Sequence, residues 1–161
     1  MGETRVYDVR DLATAWEECD ALVVFLATGA AVRLLAPLLC DKAQDPGVVC
    51  VDEGRRFAVA LVGGHRGGAN DLAHEVADVL GCEPVVTTAT DSVGLPGLDT
   101  WSWPVEGDVA RVSRALLDGE PVRLVMDPVH PIPPLPLSDQ GDLVLAVTDR
   151  VVDADAVLRP P

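Results

Sequence analysis

Apolar and polar positions along this chain fall into short apolar runs separated by longer amphipathic stretches. Ala21–Ala27 is continuously apolar, the pattern of a strand buried on both faces. Ala30–Leu39 has helical spacing, with Pro37 bending or ending it. Val48–Asp52 and Phe57–Val62 lie on either side of Glu53-Gly54-Arg55-Arg56, which predicts a hairpin. Leu72, Ala73, Val76, Val79 and Leu80 predict a helix that Gly81 closes. Pro84–Thr90 reads as a further strand, followed by a turn over Asp91–Gly97. Ahead of these, Thr4–Val9 is a short extended stretch, and Asp11 caps a helix that follows it.

Beyond residue 100 the pattern thins. Asp108–Leu117 reads as a helix closed by Gly119, and Val122–Met126 and Leu143–Val147 as strands. The proline-rich stretch Pro128–Pro136 between them predicts an extended segment or linker. The alternation is that of an α/β protein. It predicts an open, mostly parallel sheet with flanking helices over residues 1–100 and a small second α/β unit over 101–161.

Composition narrows the function classes. Apolar residues make up 48% and aromatic residues only 4%, so the core is aliphatic. Twenty-six acidic against 12 basic residues give a net charge of −14, which repels a phosphate backbone and argues against nucleic-acid binding. Cys19, Cys40, Cys50 and Cys82 lack close CxxC spacing and read as small buried hydrophobes, with no metal site expected. The N-terminus Met1-Gly2-Glu3-Thr4 is polar, and no apolar run is long enough to cross a bilayer. The expectation is a cytoplasmic, reduced protein without a membrane partner.

Candidate chemistry concentrates in Gly63-Gly64-His65-Arg66-Gly67-Gly68-Ala69-Asn70, where a strand hands over to a helix. Glycine there lets backbone N–H groups approach a bulky or anionic ligand at the positive end of the helix dipole. Thr28-Gly29 and Thr87–Asp91 also follow predicted strands. In an open parallel sheet such ends share one edge, where ligands bind. Parallel strands would therefore bring together Thr28, Arg33, His65, Arg66, Asn70, Thr87, Thr88, Thr90 and Asp91.

Each has a plainer reading beside it. Asn70 serves as well for a helix N-cap, Asp91 for an Asx turn, and Gly67-Gly68 for close helix–strand packing. Arg33 on an apolar helix snorkels outward, Arg66 stands in solvent, and His65 pins its own loop. His74 and His130 read as surface and linker residues, and Trp101 and Trp103 as packing at the junction.

Four ordered motifs carry a family resemblance: Ala27-Thr28-Gly29-Ala30-Ala31-Val32-Arg33, the stretch from Asp45-Pro46-Gly47 to Glu53, the loop Gly63–Asn70, and Thr87-Thr88-Ala89-Thr90-Asp91. Together they resemble the N-terminal domain of cobalt-precorrin-5A hydrolases of anaerobic cobalamin biosynthesis. Arg114–Val122 and Val147-Thr148-Asp149-Arg150 resemble that family's central domain more loosely. Family members usually begin with a further strand and helix and usually carry a C-terminal domain, and some are fused to a corrin methyltransferase. Beside them this chain reads as a fragment or shortened form.

The resemblance implies hydrolytic opening of a δ-lactone on a cobalt-bound corrinoid with release of acetaldehyde, giving cobalt-precorrin-5B. The cobalt belongs to the substrate, so no separate cofactor is expected. Such chemistry needs a base for water, for which His65 and Asp91 are the candidates, and a stabilised carbonyl oxyanion, for which Gly67-Gly68 N–H groups are candidates. Arg33 and Arg66 suit the peripheral carboxylates. Thr28, Gly29, Gly63, Gly64, Asn70, Thr87, Thr88 and Thr90 complete the expected substrate-binding set. The other readings are a non-catalytic module that binds a corrinoid intermediate, and an unrelated phosphate-binding α/β domain; the latter lacks GxGxxG and GxxxxGK[ST] motifs.

Overall fold

The computed structural model describes residues 3–42, 44–98, 103–126, 130, 132 and 135–161. It forms two compact units, Met1–Thr87 and Thr88–Pro161. The boundary expected near residue 100 falls inside the second of them.

The first unit begins with an extended segment and a short 3-10 turn, Val9–Asp11, which leads into α1 (Leu12–Glu18). Asp8, and not Asp11, supplies the capping side chain, accepting from Arg10 N–H at 3.0 Å. Then follow β1 (Ala21–Phe25), α2 (Thr28–Leu35), β2 (Gly47–Val51), β3 (Phe57–Val62), α3 (Ala69–Leu80) and β4 (Glu83–Val85). The strands lie in the order β1-β2-β3-β4. β1 pairs parallel with β2, β2 antiparallel with β3, and β3 parallel with β4.

The antiparallel step follows from the β2–β3 hairpin. One Asp52 carboxylate oxygen accepts from the N–H groups of Arg56 and Phe57 at 2.8 and 2.9 Å, and Arg55 takes the left-handed conformation with φ 49°. The amide of Phe57 foremost, with those of Arg56 and its guanidinium, holds the Asp52 carboxyl below its usual range.

β2 is buried on both faces, which explains its unbroken run Gly47-Val48-Val49-Cys50-Val51. Val48 and Cys50 pack with Leu22, Ala15, Ala31 and Leu35 beneath α1 and α2. Val49, Val51 and Ala58 face Ala69, Ala73 and Ala77 of α3. Alanine at every fourth position gives α3 a smooth stripe that seats close to the sheet. Gly81 ends the helix with φ 67°.

The second unit holds α4 (Ala89–Ser92), β5 (Val105–Gly107), α5 (Val109–Asp118), β6 (Val122–Met126), β7 (Leu143–Val147) and β8 (Ala156–Leu158). Its sheet runs β5-β8-β7-β6, parallel from β8 to β6 with β5 antiparallel at one edge. Val112, Ala115 and Leu116 of α5 pack on Leu145, Val147 and Leu158. Asp108 caps α5, accepting from Arg111 N–H at 3.0 Å. Both units are α/β layers with mostly parallel strands.

The predicted strand over Pro84–Thr90 is shorter than expected, and its last residues enter α4. Ile132 and Leu135 of the proline-rich stretch and Leu137 just after it pack against the second core, as does Trp103. The Trp103 and His130 rings meet edge to face at 6.3 Å. Trp101 lies outside the described residues.

Candidate functional site

The glycine loop is built mainly from backbone packed on backbone. Gly63 leaves β3 with φ 67°, and Gly47, at the start of β2, lies across from it. A Cβ on Gly67 would stand 2.8 Å from both Gly47 N and Gly63 O, and one on Gly47 would overlap the Gly67 carbonyl. A Cβ on Gly63 would meet Gly47 Cα at 3.1 Å and Pro46 O at 3.2 Å. Three glycines therefore interlock two motifs, the loop and the buried Pro46-Gly47 step. Gly68 differs: its φ is 73°, and nothing lies within 4 Å of its Cβ position. It is needed for conformation alone.

The loop closes on itself through its own amides. Ala69 N–H donates to Gly63 O at 3.2 Å, Asn70 N–H to Gly64 O at 3.0 Å, and Gly68 N–H to His65 O at 3.0 Å. These bonds revise two expectations. The first two amides of α3 face loop carbonyls and not an incoming anion, and the Gly68 amide is taken from any oxyanion role. Asn70 is not the N-cap either: Gly68 occupies that position, and Asn70 sits inside the first turn, 7% exposed. The loop thus presents side chains. Arg66 stands exposed at the apex of the His65–Gly68 turn, and His65 is half-buried beside it.

The convergence expected of parallel strands is overturned by the antiparallel β2–β3 pairing. Phe25 lies beside Val51, whereas Val62 lies beside Val48. The β1–α2 turn with Thr28 and Gly29 therefore sits at one edge of the first sheet. Gly63 to Arg66 sit at the other edge, about 17 Å away for a five-residue strand. Exposed Thr87, beyond the end of β4, shares the glycine-loop edge, because β4 runs parallel to β3. Thr28 lies next to Cys50, whose thiol donates to Leu26 O at 3.2 Å. Burial foremost pushes that thiol up from its usual range, while the Thr28 hydroxyl pulls it down. Arg33 is exposed and folds back along α2, its guanidinium 3.9 Å from where a Gly29 Cβ would be.

Thr88, Thr90 and Asp91 belong to the second unit. Thr90 O accepts from Leu95 N–H at 2.9 Å, and the Asp91 side chain is outside the described residues. Among the described residues no group of three or more His, Cys, Asp and Glu is arranged to hold a metal, and no helix is long and apolar enough to cross a membrane. Sequence reasoning missed the partnership of Pro46-Gly47 with the loop. In the sequence Asp45-Pro46-Gly47 stands only as the start of one of the four family motifs, with nothing that ties it to the loop.

Residues 10–91, just over half of the chain, match the family described as Cobalamin synthesis G N-terminal. The chain belongs to this family. It is 44% identical over 102 residues to the cobalt-precorrin-5A hydrolase of Salmonella typhimurium, covering 63% of this chain and 29% of that protein. It is 33% identical over 136 residues to the cobalt-precorrin-5A hydrolase of Priestia megaterium, covering 76% and 36%. The chain thus spans about a third of the length of the curated relatives it matches. A crystal structure of a cobalamin biosynthesis protein G homolog from Sulfolobus solfataricus shares the fold, with a TM-score of 0.54 at 23% identity over 93% of this chain and 48% of that one. All four ordered motifs fall within or across the matched residues.

Proposed function

We propose that this chain acts in cobalamin biosynthesis, binding cobalt-precorrin-5A and hydrolysing its lactone with release of acetaldehyde to give cobalt-precorrin-5B. The observation that carries this reading is the 44% identity to the Salmonella hydrolase over 102 residues, a span long enough to hold all four motifs. Water adds to the lactone carbonyl, the ring opens to a carboxylate and an alcohol, and a retro-aldol-type cleavage then expels the two-carbon fragment as acetaldehyde. One water is consumed for each acetaldehyde formed.

In this reading the corrinoid lies at the glycine-loop edge of the first unit. Arg66, exposed at the turn apex, binds a peripheral carboxylate by paired hydrogen bonds. His65 takes the proton of the attacking water, its half-buried ring being positioned by the same turn. Thr87, beyond the end of β4, lines the approach at the same edge. Thr28, Gly29 and Arg33 stand at the opposite edge, so they do not share a carboxylate with Arg66. The cobalt arrives with the substrate. The free thiols of Cys19, Cys40, Cys50 and Cys82 suit a reducing cytoplasm.

Incubation of the purified 161-residue chain with cobalt-precorrin-5A, with acetaldehyde followed by coupled NADH oxidation, tests the proposal. Stoichiometric acetaldehyde is the expected result. Corrinoid binding without acetaldehyde would leave a binding module, and no corrinoid binding would refute the reading.

A further inference from the structure

Among the basic residues of the first unit, Arg5 pairs with Glu3 and Glu18, Arg10 with Asp8, and Arg56 with Asp52. Arg33, Lys42, Arg55 and Arg66 make no ion pair among the described residues. Strand direction sorts them. Arg55 lies in the β2–β3 hairpin, and the Arg33 guanidinium folds back toward Gly29, so both belong to the edge opposite the glycine loop. Lys42 precedes β2, which starts at Gly47 on the glycine-loop edge itself. Lys42 and Arg66 are thus the uncommitted cations of that edge among the described residues.

Lys42 is the only lysine in the sequence. It stands exposed in a turn closed by its own hydrogen bonds. Gln44 and Asp45 N–H both donate to Asp41 O at 2.8 Å, and one Asp45 carboxylate oxygen accepts from Cys40 and Asp41 N–H at 3.2 Å. The Asp41 carboxylate accepts from Gln44 Nε2 at 3.1 Å. Both neighbouring carboxylates are therefore met by amide donors of the same turn. The turn is also tied to the glycine loop. Asp45 leads through buried Pro46 into Gly47, whose N and Cα would lie 2.8 and 3.0 Å from a Cβ on Gly67, the residue after Arg66. That path places the Lys42 and Arg66 Cα atoms no more than about 20 Å apart. Two long side chains can close such a gap to the width of one macrocycle.

We propose that Lys42 is the second carboxylate contact of the corrinoid, so that the glycine-loop edge selects a rigid ligand with carboxylates spread along its rim. This rests on the hydrolase reading and on corrinoid contact at that edge. Arg66 fixes one carboxylate with its planar fork. The Lys42 ammonium, a compact charge on a flexible stem, meets a second carboxylate in whatever orientation the ring imposes. Once Arg66 is engaged the second contact forms within the complex, so a ligand with a single carboxylate gains from only one of the two cations.

Absorbance titration of cobalt-precorrin-5A compares the parent 161-residue chain with Lys42→Gln, Lys42→Arg and Arg55→Gln. Lys42→Gln is expected to weaken binding about tenfold and Lys42→Arg to stay within about threefold. Arg55→Gln removes a charge at the opposite edge and is expected to leave affinity unchanged. A second measurement needs no variant. In this chain N-hydroxysuccinimidyl acetate marks the Lys42 amine and the terminal α-amine, which mass spectrometry reads separately. Saturating corrinoid is expected to slow acetylation at Lys42 severalfold while leaving the α-amine unchanged. Full affinity in Lys42→Gln, an equal loss in Arg55→Gln, or an unprotected Lys42 at saturation would each overturn this inference and leave the hydrolase reading standing. No corrinoid binding by the parent chain would overturn both.

Discussion

The two strand-to-helix connections at opposite edges of the first sheet are built on different principles. The β1–α2 turn is open: Thr28 and Gly29 are exposed, and a Gly29 Cβ would approach only the flexible end of Arg33. The β3–α3 loop is clasped, with Gly47, Gly63 and Gly67 in backbone contact and the first α3 amides bonded to loop carbonyls. Both look like glycine-containing ligand cradles in sequence. Only the second is clasped backbone to backbone, and its glycines serve that clasp while Arg66 stands exposed at the apex of the turn. The lesson is that a glycine-rich loop advertises close approach without saying whether the approaching group is a ligand or the protein itself.

Substitutions break this comparison in graded steps. Gly67→Ala drives a Cβ into backbone that cannot yield, and is expected to cost about 3 kcal/mol or more in urea unfolding. His65→Ala is expected to lower acetaldehyde release about 100-fold while shifting stability by less than ~1 kcal/mol, as a base presented by an intact platform should. Gly68→Ala meets only conformational strain in open space, at about 1 kcal/mol. Equal costs for Gly67→Ala and Gly68→Ala would show that the clasp does not matter. The smallest effect concerns the hairpin that reverses the sheet. The Asp52 carboxyl is held below its ordinary 3.8 by amide hydrogen bonds made in the folded chain. Its stabilisation is complete above that value and disappears as pH falls through the depressed one. Asp52→Asn should therefore lower the melting temperature by a few degrees at neutral pH and show no deficit in strong acid.

Local pattern made much of the fold legible. Val122–Met126 and Leu143–Val147 are strands over the residues expected, and Gly81 and Gly119 end their helices in the left-handed conformation. Turn chemistry at Glu53–Arg56 was enough to give the hairpin. β5 and β8, three residues each, are too short to show a period. Strand direction across the sheet is a long-range property, and no single apolar run carries it. The hairpin already required β3 to run against β2, and with that Thr28 and His65 separate to opposite edges. The clasp between Gly47 and Gly67 was illegible for a similar reason: it joins residues brought together only by strand pairing.

Corrinoid contact is proposed at the glycine-loop edge of the first unit. Absorbance titration of cobalt-precorrin-5A into Arg66→Ala and Arg33→Ala chains tests it most directly. Arg66→Ala is expected to weaken binding about tenfold or more while Arg33→Ala stays within about twofold of the parent chain. Loss of affinity in Arg33→Ala with Arg66→Ala unchanged would contradict it.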